Sequence, residues 1–226
     1  MGGQACILYG GAEFSRDVDF ALLASRENLE RLSRALDDLG AEVIAIPPFE
    51  SRYLERGHAV HFRAHHPEAE GFRIDVMSKL RGVEAFPRLW ERRTTFDLDD
   101  GPVEVLALPD LVASKKTQRD KDWIMIRRLL EASYARGSGS PTAEQVSFWL
   151  TELRTPELLI ECAAAHPDEA TAIGEARPAT AAAADNDIDA VADAMSEEEE
   201  RERARDREYW APLRAELEEL RRQRGR

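Results

Sequence analysis

The sequence predicts an α/β protein of the α+β kind: a mixed β-sheet flanked by helices, followed by a helical C-terminal extension. Three observations carry this. Strand-like and helix-like stretches alternate up to Ala135. The acidic residues Asp17, Asp19 and Asp75 sit inside strand-like stretches, flanked by apolar residues. Past the Gly/Ser-rich segment Gly137–Pro141 come short helical stretches, Thr142–Leu153 and Pro156–His166, then an Ala/Asp-rich segment and a densely charged helical tail.

Each element follows from local chemistry. Gln4–Tyr9 reads as a short helix stopped by Gly10-Gly11. Val18–Leu23 reads as a strand, because Val18, Phe20 and Leu22 alternate with Asp17, Asp19 and Ala21. Ser25 suits the N-cap of a helix over Arg26–Leu39, whose apolar stripe is Leu29, Leu32, Leu36 and Leu39. Glu42–Ile46 is a strand closed by Pro47-Pro48. His58–Arg63 and Phe72–Met77 form a hairpin, with a helix at Val83–Arg93 after them. Thr94–Leu98 and Val103–Ala107 form a second hairpin across Asp99-Asp100-Gly101. Pro109 opens one long helix, Asp110–Ala135. The predicted organisation is a domain over 1–135, a linker over 136–141 and a helical, partly disordered extension over 142–226. Within that extension Glu175–Asp193 is expected to be mobile, and Ser196–Arg224 a solvated helix.

Composition narrows the function classes. The chain has 226 residues and a formal net charge of −13, which disfavours a broad electrostatic grip on nucleic acid. Cys6 and Cys162 are its only cysteines, too few for a disulfide framework or a Cys-rich zinc site. No apolar run reaches membrane-spanning length, and the first residues do not form a signal peptide. The expectation is a cytoplasmic protein with no membrane partner. His58 and His61 fall on opposite faces of one strand, which argues against a metal shared between them.

The chemistry concentrates in Ser15-Arg16-Asp17-Val18-Asp19. Asp residues at i and i+2 of a strand point to one side of a sheet. Two carboxylates held that close repel each other unless a cation lies between them, and hard oxygen ligands suit Mg²⁺. Gly2-Gly3 lies upstream and Asp75 lies within Phe72-Arg73-Ile74-Asp75-Val76-Met77. Three such carboxylates can hold two Mg²⁺ about 3.5–4 Å apart, one activating an acceptor hydroxyl and one neutralising a triphosphate. A glycine turn would let backbone N–H groups approach phosphate oxygens, and Ser15 could add a hydroxyl donor.

Met1-Gly2-Gly3 followed by Asp17-Val18-Asp19-Phe20, with Asp75 on a later strand, resembles the nucleotidyltransferase superfamily related to DNA polymerase β. A second block, Leu108–Lys116 and then Arg119-Asp120-Lys121-Asp122, is similar to the helix that follows the catalytic sheet in small bacterial nucleotidyltransferases. The resemblance covers about residues 1–131, and the branch includes toxins of toxin–antitoxin pairs. It implies an Mg²⁺-dependent transfer of an NMP from an NTP to a hydroxyl acceptor, with release of pyrophosphate. Asp17, Asp19 and Asp75 would be the catalytic metal ligands. Gly2, Gly3 and Ser15 would hold phosphates, and Lys115, Arg119, Lys121 and Asp122 would lie near the triphosphate. Lys115, Arg119 and Asp122 are placed together by i, i+4, i+7 spacing on one helix; an ordinary salt-bridged surface is the other reading of that block. The acceptor stays open between RNA, a protein and a small molecule, and a cognate antitoxin is a further expected partner. The rival readings are a catalytically inactive nucleotide- or partner-binding module of the same fold, and an interaction module acting through the charged tail. In the family a helix and a strand precede the glycine pair; here only Met1 does, so the expectation is a chain short at its start with an unpaired sheet edge.

Overall fold

The computed structural model describes residues 1–224 and forms two compact units. The first unit comprises Met1–Leu8, Glu13–Ser114 and the chain from Arg207 on. Its elements are α1 (Gly2–Leu8), β1 (Asp17–Ala21), α2 (Arg26–Asp38), β2 (Glu42–Val43), α3 (Ser51–Arg56), β3 (Val60–Arg63), β4 (Arg73–Met77), α4 (Phe86–Glu91), β5 (Thr94–Leu98), β6 (Gly101–Val105) and α5 (Leu108–Ser114). The second comprises Tyr9–Ala12 and Lys115–Asp206. It holds α6 (Asp120–Gly137), α7 (Ala143–Glu152), α8 (Pro156–Ala165), α9 (Pro167–Gly174), α10 (Pro178–Ala184) and the first part of α11 (Ile188–Arg224). None of these helices is long and apolar enough to cross a membrane.

The first unit is a four-stranded mixed sheet in the order β1-β4-β3-β2, with β5 and β6 as a separate hairpin. β1 runs parallel to β4, and β3 antiparallel to both β4 and β2. Alternation along the strands divides the sheet into an apolar face and a polar one. Val60, Phe62, Ile74 and Val76 are buried with Leu36 of α2 and Leu54 of α3, and Val18, Leu22, Leu29 and Leu32 pack against them. The opposite face carries Asp17, Asp19, Arg73, Asp75 and His61. Ser25 caps α2 by accepting from the Asn28 N–H at 3.3 Å, which typically stabilises a helix by about 1 kcal/mol. β1 lies at the edge of the sheet. The Met1 ammonium donates to its Asp19 carbonyl at 2.8 Å.

The second unit is helical, around a core that includes Ile126, Leu129, Leu130, Trp149, Leu150, Leu153 and Leu159. Trp149 is fully buried, with its indole N–H on the Ser133 hydroxyl at 3.0 Å and its ring edge-on to Tyr134.

Three sequence expectations are corrected here. The helix expected over Asp110–Ala135 is broken: α5 ends at Ser114 and α6 starts at Asp120. Side chains satisfy the backbone at the break and so replace the helical pattern. Thr117 Oγ1 accepts from the Arg119 N–H at 3.1 Å, Asp206 accepts from the Gln118 N–H at 3.0 Å, and Arg203 donates to the Gln118 carbonyl at 2.8 Å. Second, Glu175–Asp193, expected to be mobile, holds α10 and the start of α11. Its alanines are small enough for close helix packing, with Ala179 and Ala183 buried. Buried Arg177 donates to the carbonyls of Leu150 and Leu153 at 2.7 and 2.8 Å, satisfying groups that the end of α7 leaves unpaired. Third, α3 lies where no element was expected, and the strand expected over Glu42–Ile46 is only Glu42–Val43.

Candidate active site

Parallel pairing of β1 with β4 sets Asp19 directly beside Asp75 and Asp17 beside Arg73. Neighbouring strands lie about 4.8 Å apart. His61 on β3 is the partner of Asp75 on the other side. One lateral row of the polar face therefore reads Asp19, Asp75, His61. All three sequence-predicted carboxylates share this face.

The three carboxylates differ in environment. Burial raises the Asp19 pKa above the ordinary aspartate value, and the negative charges of Asp17 and Asp75 raise it further; the Met1 ammonium and the Gly3 N–H oppose them. Asp75 is 8% exposed. Burial alone would raise its pKa, but hydrogen bonds from His61 and Arg73 win and hold it below the ordinary value. Arg73 donates from Nε to Oδ1 at 2.8 Å and from Nη2 to Oδ2 at 2.9 Å, and His61 Nδ1 lies 2.8 Å from Oδ1.

The glycine pair packs against these residues. A Cβ on Gly2, whose φ is +68°, would lie 1.8 Å from Asp19 Oδ2, and one on Gly3 would lie 2.3 Å from Ser15 Oγ. Only glycine lets α1 come this close to β1. Ser15 in turn donates to the Asp17 carbonyl at 2.9 Å and lies 3.2 Å from Asp17 Oδ1. Gly2, Gly3, Ser15, Asp17, Asp19 and Asp75 thus form one local constellation.

Lys115, Arg119, Lys121 and Asp122 belong to the other unit. The break before α6 removes the shared helical face expected for Lys115, Arg119 and Asp122. They meet nonetheless through the turn at the break. Buried Asp122 accepts from Arg119 Nε at 2.8 Å and from the Thr117 hydroxyl at 2.6 Å, with Lys115 Nζ 3.7 Å away. Lys121 is exposed.

Sequence reasoning missed the Arg73–Asp75 grip and the His61 contact. One signal was available: Arg73 stands two residues before Asp75 on the same strand, so both must face the same side. The His61 contact depends on the register of β3 with β4, which one sequence does not display.

Among the described residues no group of three or more His, Cys, Asp or Glu side chains converges as a metal-holding set. The donor chemistry still suits Mg²⁺ at Asp17 and Asp19, because both are hard oxygen ligands and the Asp19 charge is disfavoured by its carboxylate neighbours. A cavity of about 710 Å³ in the same unit is lined by Ser25, Ser78, Lys79 and Arg81, among others, and by none of the three carboxylates. Comparisons of the chain with protein-family models, with curated proteins and with solved structures find no match.

Proposed function

We propose that this chain is an Mg²⁺-dependent nucleotidyltransferase of the DNA polymerase β-like fold, moving an NMP from an NTP to a hydroxyl acceptor. The observation that carries the reading is the row of Asp19 beside Asp75, with Asp17 on the same face and α1 pressed onto Asp19 through Gly2. Asp17 and Asp19 would bind the cation, and Asp75 would complete the set on the acceptor side. Magnesium, when bound, supplies charge neutralisation of the triphosphate and acidifies the acceptor hydroxyl. Gly3 steadies the Asp19 carboxylate through its N–H, and Ser15 steadies Asp17. In this reading Gly2, Gly3 and Ser15 border the phosphates.

Radiolabel transfer tests the proposal. The full chain is incubated with each NTP labelled at the α-phosphate, with Mg²⁺ and a cell extract as acceptor source. Labelled product is expected with the native chain and none with Asp17→Ala/Asp19→Ala. Absence of transfer from all four NTPs would overturn the enzyme reading.

One observation favours a second reading, a catalytically inactive nucleotide-binding module. Both Asp75 oxygens are already engaged by Arg73. Saturable binding of an NTP without any label transfer would select it.

A further inference from the structure

His61 stands on the face of the three carboxylates and has no part in the reading above. On β3 it continues the lateral row that begins with Asp19 and Asp75. Strands about 4.8 Å apart put it roughly 10 Å from Asp19, two strands away from the edge where α1 packs. Beyond it comes Ile44, whose N–H donates to the His61 carbonyl at 2.9 Å and whose side chain is 41% exposed. The row thus runs from a carboxylate end against α1 to an open end at the imidazole.

The two ring nitrogens of His61 differ. Nδ1 lies 2.8 Å from Asp75 Oδ1. Arg73 donates to both Asp75 oxygens, which fixes that carboxylate as an acceptor. A bare ring nitrogen would be a second acceptor and would repel it at that distance, so Nδ1 carries the hydrogen. In a neutral imidazole the other nitrogen is then a bare acceptor. Nε2 has no hydrogen-bond partner among the described residues, and the side chain is 25% exposed. His58 differs: it is buried, and its Nε2 meets Glu216 at 2.9 Å. A ring oriented through one nitrogen by a carboxylate, with the other open to a ligand, is the arrangement of a positioned general base.

We propose that His61 is the general base for the hydroxyl acceptor, oriented by Asp75. This rests on the nucleotidyltransferase reading and assigns the proton that the transfer releases. The hydroxyl oxygen attacks the α-phosphorus while its proton passes to His61 Nε2. The bond from the α-phosphorus to the bridging oxygen breaks, and pyrophosphate leaves with the electron pair. The imidazolium stays hydrogen-bonded to Asp75 and gives its proton to solvent once the product has left. A histidine that only braced Asp75 would need Nδ1 alone.

Two measurements test this on the full chain. Nitrogen–proton correlation spectra of ¹⁵N-histidine-labelled protein at about pH 8, above the ordinary histidine range, read the tautomer. His61→Asn assigns the signal. A hydrogen on Nδ1 is expected; one on Nε2 would overturn the proposal and leave the nucleotidyltransferase reading untouched. The second measurement is label transfer from the α-labelled NTPs with Mg²⁺ and cell extract. Asn places an amide N–H where Nδ1 stood, so His61→Asn keeps the donor to Asp75 and lacks Nε2. It should lose at least about a hundredfold in transfer rate, while calorimetry gives it the native Kd for the transferred NTP. An active native chain with an equally active variant would overturn the general-base role alone. Loss of transfer together with weakened NTP binding would make His61 structural and overturn it as well. A native chain that transfers nothing would overturn the reading and this inference together. Circular dichroism checks that the variant, at a partly exposed position, remains folded.

Discussion

Arg73 holds Asp75 at two points, Nε on one carboxylate oxygen and Nη2 on the other. A bidentate guanidinium–carboxylate pair is among the stronger polar contacts in proteins. Under the proposed reading it would compete with a cation for the same oxygens. Arg73→Ala should therefore tighten Mn²⁺ binding at the carboxylate face by roughly tenfold, the equivalent of one charge-assisted hydrogen bond. Calorimetric titration of native and variant chains with Mn²⁺ reads this directly. Weaker binding in the variant would make Arg73 a positioning residue for Asp75 instead. The pH dependence has a defined sign. The Asp75 pKa is depressed in the folded chain, so its contribution to stability is present above the ordinary aspartate range and fades as pH falls through the folded value. Arg73→Ala should flatten that acid limb in a series of thermal melts.

Asp19 behaves oppositely. Its folded pKa is raised, chiefly by burial and then by Asp17 and Asp75. The folded state thus holds the Asp19 proton more tightly than the unfolded state does. Stability from this group declines as pH rises from the ordinary aspartate value through the folded one, and at neutral pH the ionised side chain is a net cost. Asp19→Asn keeps the acceptor for the Gly3 N–H and removes the charge. Without divalent cations it should raise the melting temperature by a few degrees, corresponding to about 1 kcal/mol or less. It should also abolish label transfer. A variant that melts lower than the native chain would show that Asp19 is stabilised by contacts outweighing the repulsion.

Gly2 meets Asp19 more closely than any side chain permits. Gly2→Ala would place a methyl group 1.8 Å from Asp19 Oδ2 at a φ of +68°. Either α1 shifts or the carboxylate rotates. Under the proposed reading, moving Asp19 from its place is expected to lower label transfer by at least about a hundredfold. The sheet core lies on the other face, so far-ultraviolet circular dichroism should stay close to native. A Gly2→Ala chain with full transfer activity would separate the glycine pair from the chemistry.

What the sequence disclosed follows the range of the interactions involved. β1, α2, β4 and the β5–β6 hairpin rest on local alternation, caps and turns, and their positions were legible to within a few residues. The common face of Asp17 and Asp19 is likewise a property of one strand. Arg73 was within local reach, two positions from Asp75 on one strand and so on its face, but that shared face alone does not specify a bidentate pair. The break at Lys115–Arg119 could not be seen locally, because Asp206 and Arg203, remote in sequence, complete its hydrogen bonds. The same holds for Glu175–Asp193: its composition lacks a conventional apolar stripe, and its order rests on small residues and on Arg177 reaching back to α7.

The ion pairs that order this segment give a further test. Glu198 takes Arg154 at 2.7 Å and Arg177 at 3.1 Å, and both guanidinium groups are buried. Burial alone would raise the Glu198 pKa, but Arg177 and then Arg154 lower it below the ordinary glutamate value. Removing one member of such a network leaves its partners charged and desolvated, which typically costs about 3–5 kcal/mol. Glu198→Ala should destabilise the second unit by that order. Urea denaturation followed by tryptophan fluorescence reads it, because Trp123 and Trp149 report on this unit. The native advantage is present above the ordinary glutamate range and is lost as pH falls through the lower folded value, so the gap between the two chains should narrow under acid conditions. A gap that stays constant across that window would assign the loss to packing and not to charge.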